Sequence, residues 1–130
     1  MNKEAKKWVK FLKTNPPKHQ NGLMNDKKDK RCCLGWALKT LKTNLTDYPI
    51  VDGKRHGHLN SDDMRKLGLQ DVYGATEADC LTYKGEILVS HRGGYVESLA
   101  ELNDFTSLDH AQIAEVIKEN EHDLFEPRGL

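Results

Sequence analysis

The chain has 130 residues, of which 37% are hydrophobic and 31% charged, and its mean hydropathy is −0.74. A chain of this length predicts a single domain, residues 1–130, that buries roughly two-thirds of its unfolded surface. Its twenty Lys and Arg balance twenty Asp and Glu, which argues against a general nucleic-acid binder because such proteins usually carry a basic excess.

The sequence also predicts a soluble protein that stays in the cytoplasm. It contains no apolar run near the ~20 residues of a membrane span, and its charged N-terminus lacks the apolar segment of a signal peptide. Two of the three cysteines, Cys32 and Cys33, are adjacent, and neighbouring residues lack the Cα separation that a disulfide needs. We therefore expect reduced thiols.

Charge is distributed unevenly along the chain. Residues 1–31 are strongly basic and the last third is acidic. Such a dipole can steer an acidic partner to one end of the molecule. The alternative is that two solvated helix faces simply differ in charge.

The first half of the chain predicts two helices separated by a polar connector. The apolar residues of segment 3–13 recur at helical spacing, and lysines occupy the rest of it: Ala5, Trp8, Val9 and Leu12. Two prolines then end this helix, and Leu23-Met24 predicts one edge strand. A second, buried helix runs from the paired cysteines to Leu41, and both tryptophans are expected in the core. Residues 44–60 predict a long loop.

The second half predicts a short helix, a hairpin and two further helices. Ser61 is the expected N-cap of the short helix, and Gly68 its end. Residues 80–83 and 86–90 predict two antiparallel strands around Lys84-Gly85, and residues 95–102 a helix. Thr106 is expected to cap the last helix, with Asp109 as its capping-box partner, and residues 118–130 a frayed polar tail. The predicted fold class is α+β, about four helices packed with a small antiparallel β-hairpin sheet.

Several short elements occur in a fixed order along most of the chain: Trp8, Gln20, Gly22-Leu23, Cys32-Cys33-Leu34-Gly35, Leu67-Gly68-Leu69, Leu102-Asn103-Asp104, and Ile113-Ala114 with Ile117. This order resembles a widespread family of small uncharacterised proteins of tailed phages and prophages, with the pattern W…Q…L…CCLG…LGL…LND…IA..I. The Cys-Cys-Leu-Gly element is the most unusual part of the match. The resemblance implies a phage or prophage origin and action inside an infected bacterium, and it implies no reaction.

Three residues predict a site for nucleophilic catalysis. Cys33 begins a predicted helix, where free N–H groups and the helix dipole favour a thiolate. His91 follows a predicted strand, and Asn103 comes later in the chain. The order Cys, His, Asn resembles papain-like cysteine hydrolases, in which Cys33 would attack, His91 would act as the base and Asn103 would orient the imidazole. The alternative is that Cys33 is a small hydrophobic core residue.

A second set of residues predicts an anion site. Two glycines beside an arginine, Arg92-Gly93-Gly94, can offer backbone amides and a guanidinium to a phosphate, with Gln20 and Asp104 bordering the same pocket. The alternative is that the glycines form a hairpin exit turn and that Asp104 belongs to a turn between helices.

A third set of residues, His56, His58 and Cys80, contains metal-ligating side chains. Their spacing does not match that of a known metal site. An exposed polar loop is the better interpretation, and no metal or cofactor is predicted.

The sequence therefore favours a non-catalytic accessory protein in the host bacterial cytoplasm. It would bind a host protein or sequester a small anionic, nucleotide-like ligand, as in counter-defence. Two alternatives stay open: a cysteine-dependent hydrolase or transferase, and a virion or assembly accessory. Exposed hairpin edges also allow a homodimer.

Overall fold

The computed structural model describes residues 1–19, 23–25, 28–43, 48, 50–51, 54–56 and 58–126. In chain order its elements are α1 Lys3–Leu12, β1 Leu23–Asn25, α2 Cys33–Leu41, β2 Ile50–Val51, β3 Lys54–His56, α3 Ser61–Leu67, β4 Thr82–Tyr83, β5 Glu86–Ile87, α4 Leu99–Phe105, α5 His110–Glu119 and α6 Glu121–Leu124. This composition confirms the α+β class.

The two N-terminal helices provide one side of the core, as predicted. Asn2 caps α1 by accepting a hydrogen bond from the N–H of Ala5 at 2.8 Å. The apolar face of α1 is buried, and the indole of Trp8 donates to the carbonyl of Cys33 at 2.9 Å. The indole N–H of Trp36 donates to the carbonyl of Pro17 at 2.9 Å. Both tryptophans are therefore core residues with satisfied N–H groups, which confirms that prediction.

The segment predicted as a long loop contains two short strands. β3 pairs antiparallel with both β1 and β2, so the strand order of this sheet is β1-β3-β2. The loop prediction was therefore wrong at residues 50–51 and 54–56. Strands of two or three residues have too little pattern to be recognised before their partners are known.

The predicted β-hairpin is present and consists of β4 and β5. β4 and β5 pair antiparallel around Lys84 and Gly85, which both have positive φ angles of 53° and 81°. The carboxylate of Glu119 accepts hydrogen bonds from both turn N–H groups, at 2.7 and 3.3 Å, and from the Thr82 hydroxyl at 2.6 Å. The Thr82 hydrogen bond is the main cause that lowers the pKa of Glu119. Helix α5 thus holds the hairpin turn.

Two helix starts differ from the prediction because a neighbouring residue provides the cap. Asn60, not Ser61, caps α3 by accepting from the N–H of Asp63 at 2.8 Å. In α5 the capping box forms between Asp109 and Gln112, whereas Thr106 was the predicted cap. In each case the residue that caps lies at the position where the chain turns from extended to helical backbone.

Two further corrections concern the C-terminal half. Helix α4 begins after Ser98, so Tyr95 is extended and pairs with Val89, and Asn103 with Asp104 lies inside the helix, not in a turn. The described part of the tail predicted to fray, residues 118–126, contains the end of α5 and the helix α6, and its Leu124 and Phe125 are buried. Both apolar residues follow a charged stretch, which masked them as core positions.

Candidate functional site

The first candidate residue, Cys33, lies at the start of α2 and is completely buried. Its thiol donates to the carbonyl of Leu99 at 3.5 Å, and its backbone N–H donates to Oδ1 of Asn103 at 3.1 Å. Cys32, the N-cap, directs its sulfur to the N–H of Gly35 at 3.3 Å. Both sulfurs are therefore engaged within the core.

Burial has the opposite effect on these thiols from the one that nucleophilic catalysis requires. It raises the pKa of Cys33 well above its usual value, and the electrostatic effects of the neighbouring Cys32 and Asp104 raise this pKa further. Burial also raises the pKa of Cys32 to about 12. At neutral pH both side chains are protonated, so the desolvation cost outweighs the favourable field at the helix start.

Asn103 connects Cys33 to the rest of the core. Its Oδ1 atom accepts from Cys33, and its Nδ2 group donates at 2.9 Å to the His19 carbonyl and at 2.9 Å to a carboxylate oxygen of Asp104. These three contacts define which way the amide points. The structure thus brings Cys33, Asn103 and Asp104 together. Cys33 contacts Asn103 through its backbone N–H, whereas its thiol is bonded to Leu99.

The predicted base lies elsewhere. His91 is exposed, and its backbone N–H donates to the Phe105 carbonyl at 2.8 Å. The imidazole beside Asn103 belongs to His110, which is fully buried, with Nε2 3.4 Å from Oδ1 of Asn103. Sequence reasoning missed His110, although it falls at helical spacing with the buried residues Ile113 and Ile117.

His110 is held as a neutral imidazole. Its Nδ1 atom lies 2.9 Å from the carbonyl of Pro16, and because a carbonyl only accepts, Nδ1 carries the proton. Nε2 therefore carries no proton, and because Nε2 and the Oδ1 atom of Asn103 are then both acceptors, their 3.4 Å approach is a contact without a hydrogen bond. Burial is the main cause that lowers the pKa of His110, to about 4.

The Arg92-Gly93-Gly94 segment is an exposed turn in which the amides of Arg92 and Gly93 already have acceptors. The N–H of Arg92 donates to the Ser90 hydroxyl at 3.2 Å, and the N–H of Gly93 donates to the Ser90 carbonyl at 2.9 Å. Gly93 has a φ angle of 90°, which explains the glycine. Side chains added at Gly93 or Gly94 would meet open space within 4 Å. This geometry favours the interpretation as a hairpin turn.

The remaining candidate ligand residues make separate contacts in the described part of the chain. The Arg92 guanidinium stacks on the ring of Phe105, 4.1 Å from its centroid, and Phe105 is the neighbour of Asp104. Asp104 itself is half-buried and bonded to Asn103. Gln20 lies outside the described residues.

The outer face of the hairpin carries an exposed apolar surface that sequence reasoning missed. Ile87, Val89 and Tyr95 are 55%, 54% and 57% exposed. Ile87 ends β5, and Val89, two residues later, pairs with Tyr95 in an isolated bridge. Exposed Ile87 and Val89 flank the half-buried Leu88, which is the alternation of an extended chain, so Ile87, Val89 and Tyr95 share a face. Together with Arg92 in the connecting turn, they are called the hairpin surface here.

Two further observations concern metal ions and membranes. Among the described residues there is no group of three or more His, Cys, Asp or Glu side chains that could hold a metal ion, and His58 instead packs against Tyr73 with ring centroids 4.6 Å apart. No described helix has the length and apolar character to cross a bilayer. Comparisons with protein-family models, curated proteins and solved structures found no match to this chain.

Proposed function

We propose that this protein is a phage-type accessory protein that works in the host bacterial cytoplasm by binding a host protein, without catalysis. The observation that carries the proposal is the hairpin surface, where Ile87, Val89 and Tyr95 hold more than half of their area in solvent. Contiguous exposed apolar groups of this kind mark protein-interaction sites.

The chemistry of the hairpin surface suits protein recognition. Tyr and Arg are among the residue types that dominate binding energy at interfaces. Arg92 is partly immobilised by stacking on Phe105, and a side chain that is already ordered loses less entropy when a partner binds. The hydrogen-bonded turn at Ser90 holds Arg92 and Tyr95 on a short, rigid connection.

Cysteine catalysis and the sequestration of a small anion have less support in the geometry. A cysteine hydrolase needs an accessible thiolate, whereas the Cys33 thiol is buried, protonated and bonded to Leu99. Sequestration of a small anion at the Arg92 turn needs free amides, whereas the N–H groups of Arg92 and Gly93 are donated to Ser90. Binding through a surface requires neither.

The proposal is tested by affinity capture from host lysate with paired variants. We expect one host protein to be captured by the wild-type chain and lost by the double variant Val89→Ser, Tyr95→Ser. The matched control is Tyr73→Ser, because Tyr73 is 48% exposed but lies outside the hairpin. It should capture as the wild type does.

Three outcomes would contradict the proposal. The first is capture that survives in the double variant, and the second is capture that Tyr73→Ser weakens equally. The third is a wild-type chain that captures nothing while a nucleotide raises its melting temperature, which would favour the anionic-ligand alternative.

A further inference from the structure

Helix α1 carries a continuous lysine surface on the side opposite to the core. The four lysines of the helix and the lysine that caps its end are all exposed. These five residues form the lysine face: Lys3, Lys6, Lys7, Lys10 and Lys13. The spacing follows the helical repeat, so the charges lie on one side of a helix about 15 Å long. The lysine face shares no residue with the hairpin surface.

The positive charge on this face is only weakly compensated. The ion pair that the structure describes there joins Lys7 to Glu4 at 3.7 Å, and both side chains are well exposed, so its strength is small. At the end of the helix, a side-chain hydrogen bond and the charge of Lys118, from α5, lower the pKa of Lys13. Two helices therefore bring like charges together.

The lysine face also has a shape that can receive a ligand. An open groove of about 470 Å³ is lined by Lys3, Lys6, Lys7 and Lys10. Like charges three and four residues apart destabilise a helix, and the four ammonium groups around this groove repel each other. An anionic group that enters the groove would relieve this repulsion at several lysines at once.

We propose that the lysine face binds an acidic segment of a partner protein, a short run of Asp and Glu side chains. This inference goes beyond the proposed function, since it concerns a different surface. Charge complementarity selects the partner: flexible ammonium groups on a helix can each reach a carboxylate along an extended acidic segment.

Membranes and nucleic acids fit the lysine face less well. A helix that lies on a bilayer inserts its apolar side, whereas Trp8, Val9 and Leu12 are buried against the rest of the chain. Sequence readout in duplex DNA uses Arg, Lys, Asn or Gln at base edges, and single strands also stack on aromatic rings. The lysine face offers only ammonium groups, and Phe11 is half-buried against Trp36.

The test measures binding of a labelled glutamate-rich peptide of about ten residues, a length that covers the helix when extended. We expect saturable binding that weakens as salt is added, because exposed charges are screened beyond about 10 Å at 0.1 M salt. The triple variant Lys3→Glu, Lys6→Glu, Lys10→Glu should bind at least about tenfold more weakly. Glutamate at positions 3 and 6 suits the dipole at the helix start, whereas position 10 lies in the last turn, where a negative charge is unfavourable. Circular dichroism therefore checks that the variant folds. If it does not fold, the Lys→Gln triple at the same positions replaces it.

The matched control makes the same change of charge elsewhere: Lys28→Glu, Lys42→Glu, Lys84→Glu, at three exposed positions outside α1. It should bind the peptide as the wild type does. The hairpin variant Val89→Ser, Tyr95→Ser should also bind it normally, so that failure of one proposal is separable from failure of the other.

The inference is overturned if the wild-type chain does not bind the peptide, or if the control triple loses as much binding as the lysine-face triple. It is equally overturned if a DNA duplex or phosphatidylglycerol vesicles bind the face more tightly than the peptide. Salt-sensitive self-association that the lysine-face triple abolishes would identify a second copy of this chain as the occupant, and would also replace the proposal.

Discussion

The backbone N–H of Cys33 donates to the Oδ1 atom of Asn103 at 3.1 Å. This hydrogen bond joins the first residue of α2 to α4 across the core. It satisfies one of the N–H groups that a helix start leaves without an intrahelical partner. Two of the three residues predicted as catalytic therefore meet, and their contact is a structural one.

We expect Asn103→Ala to destabilise the fold. The substitution removes the acceptor of the buried N–H of Cys33, and an unsatisfied buried group costs about 1–3 kcal/mol. Urea denaturation measures the change in free energy of unfolding. Ser107→Ala, at an exposed position, should stay within about 0.5 kcal/mol of the wild type. A loss in Asn103→Ala no larger than in this control would contradict the structural role.

The three thiols should react with iodoacetamide in a set order. None of them forms a disulfide, but Cys32 and Cys33 are buried, whereas Cys80 is partly exposed. Since the thiolate is the reactive form, mass spectrometry at neutral pH should detect one modification in the native protein and three in denaturant. The Cys80→Ser variant should remain unmodified until it unfolds. Native labelling of Cys33 at the rate of an ordinary thiol would instead support the hydrolase.

The buried imidazole of His110 should make stability fall as the solution becomes acidic. Its pKa is about 4 in the folded chain and 6.5 as an unperturbed group, so the unfolded state binds more protons between these values. The free energy of unfolding therefore declines as the pH falls below 6.5, and this loss is complete below about pH 4. A shift of this size corresponds to about 3 kcal/mol.

The check compares the pH dependence of the free energy of unfolding in two histidine variants. His110→Gln should flatten the decline in that range, whatever its effect at neutral pH. His122→Gln, at an exposed position, should leave the slope unchanged. A wild-type slope that persists in His110→Gln would refute the assignment.

Two glycines with positive φ angles should respond differently to alanine. Gly74 and Gly93 have φ angles of 69° and 90°, so each substitution costs roughly 1–2 kcal/mol in backbone strain. A Cβ at Gly74 would also lie 2.8 Å from three side-chain atoms of Leu99, whereas one at Gly93 meets nothing within 4 Å. Overpacking adds about 1–3 kcal/mol, so Gly74→Ala should lower the melting temperature further. Equal losses would show that the Leu99 side chain moves aside.

The periodic elements were predictable from the sequence because their signal is local. The buried face of α1, the buried start of α2, the Gly68 end of α3 and the hairpin turn at Lys84-Gly85 were all predicted. Each depends on residues within about one or two helical turns or on one tight turn. The boundaries of α4 were not predicted, because the extended backbone at Tyr95 depends on pairing with Val89 across the turn.

The chemistry of Cys33 was decided by tertiary structure alone. In the sequence, a cysteine at a helix start is equally consistent with a low pKa at an exposed site and with a core thiol. Only the packing of α2 on α4 shows that the sulfur has no exposure and that Asn103 is committed to its backbone. Hydrophobic pattern determines which side of a helix is buried, but the desolvation that sets a thiol's pKa depends on residues distant in the chain, so the sequence by itself cannot supply it.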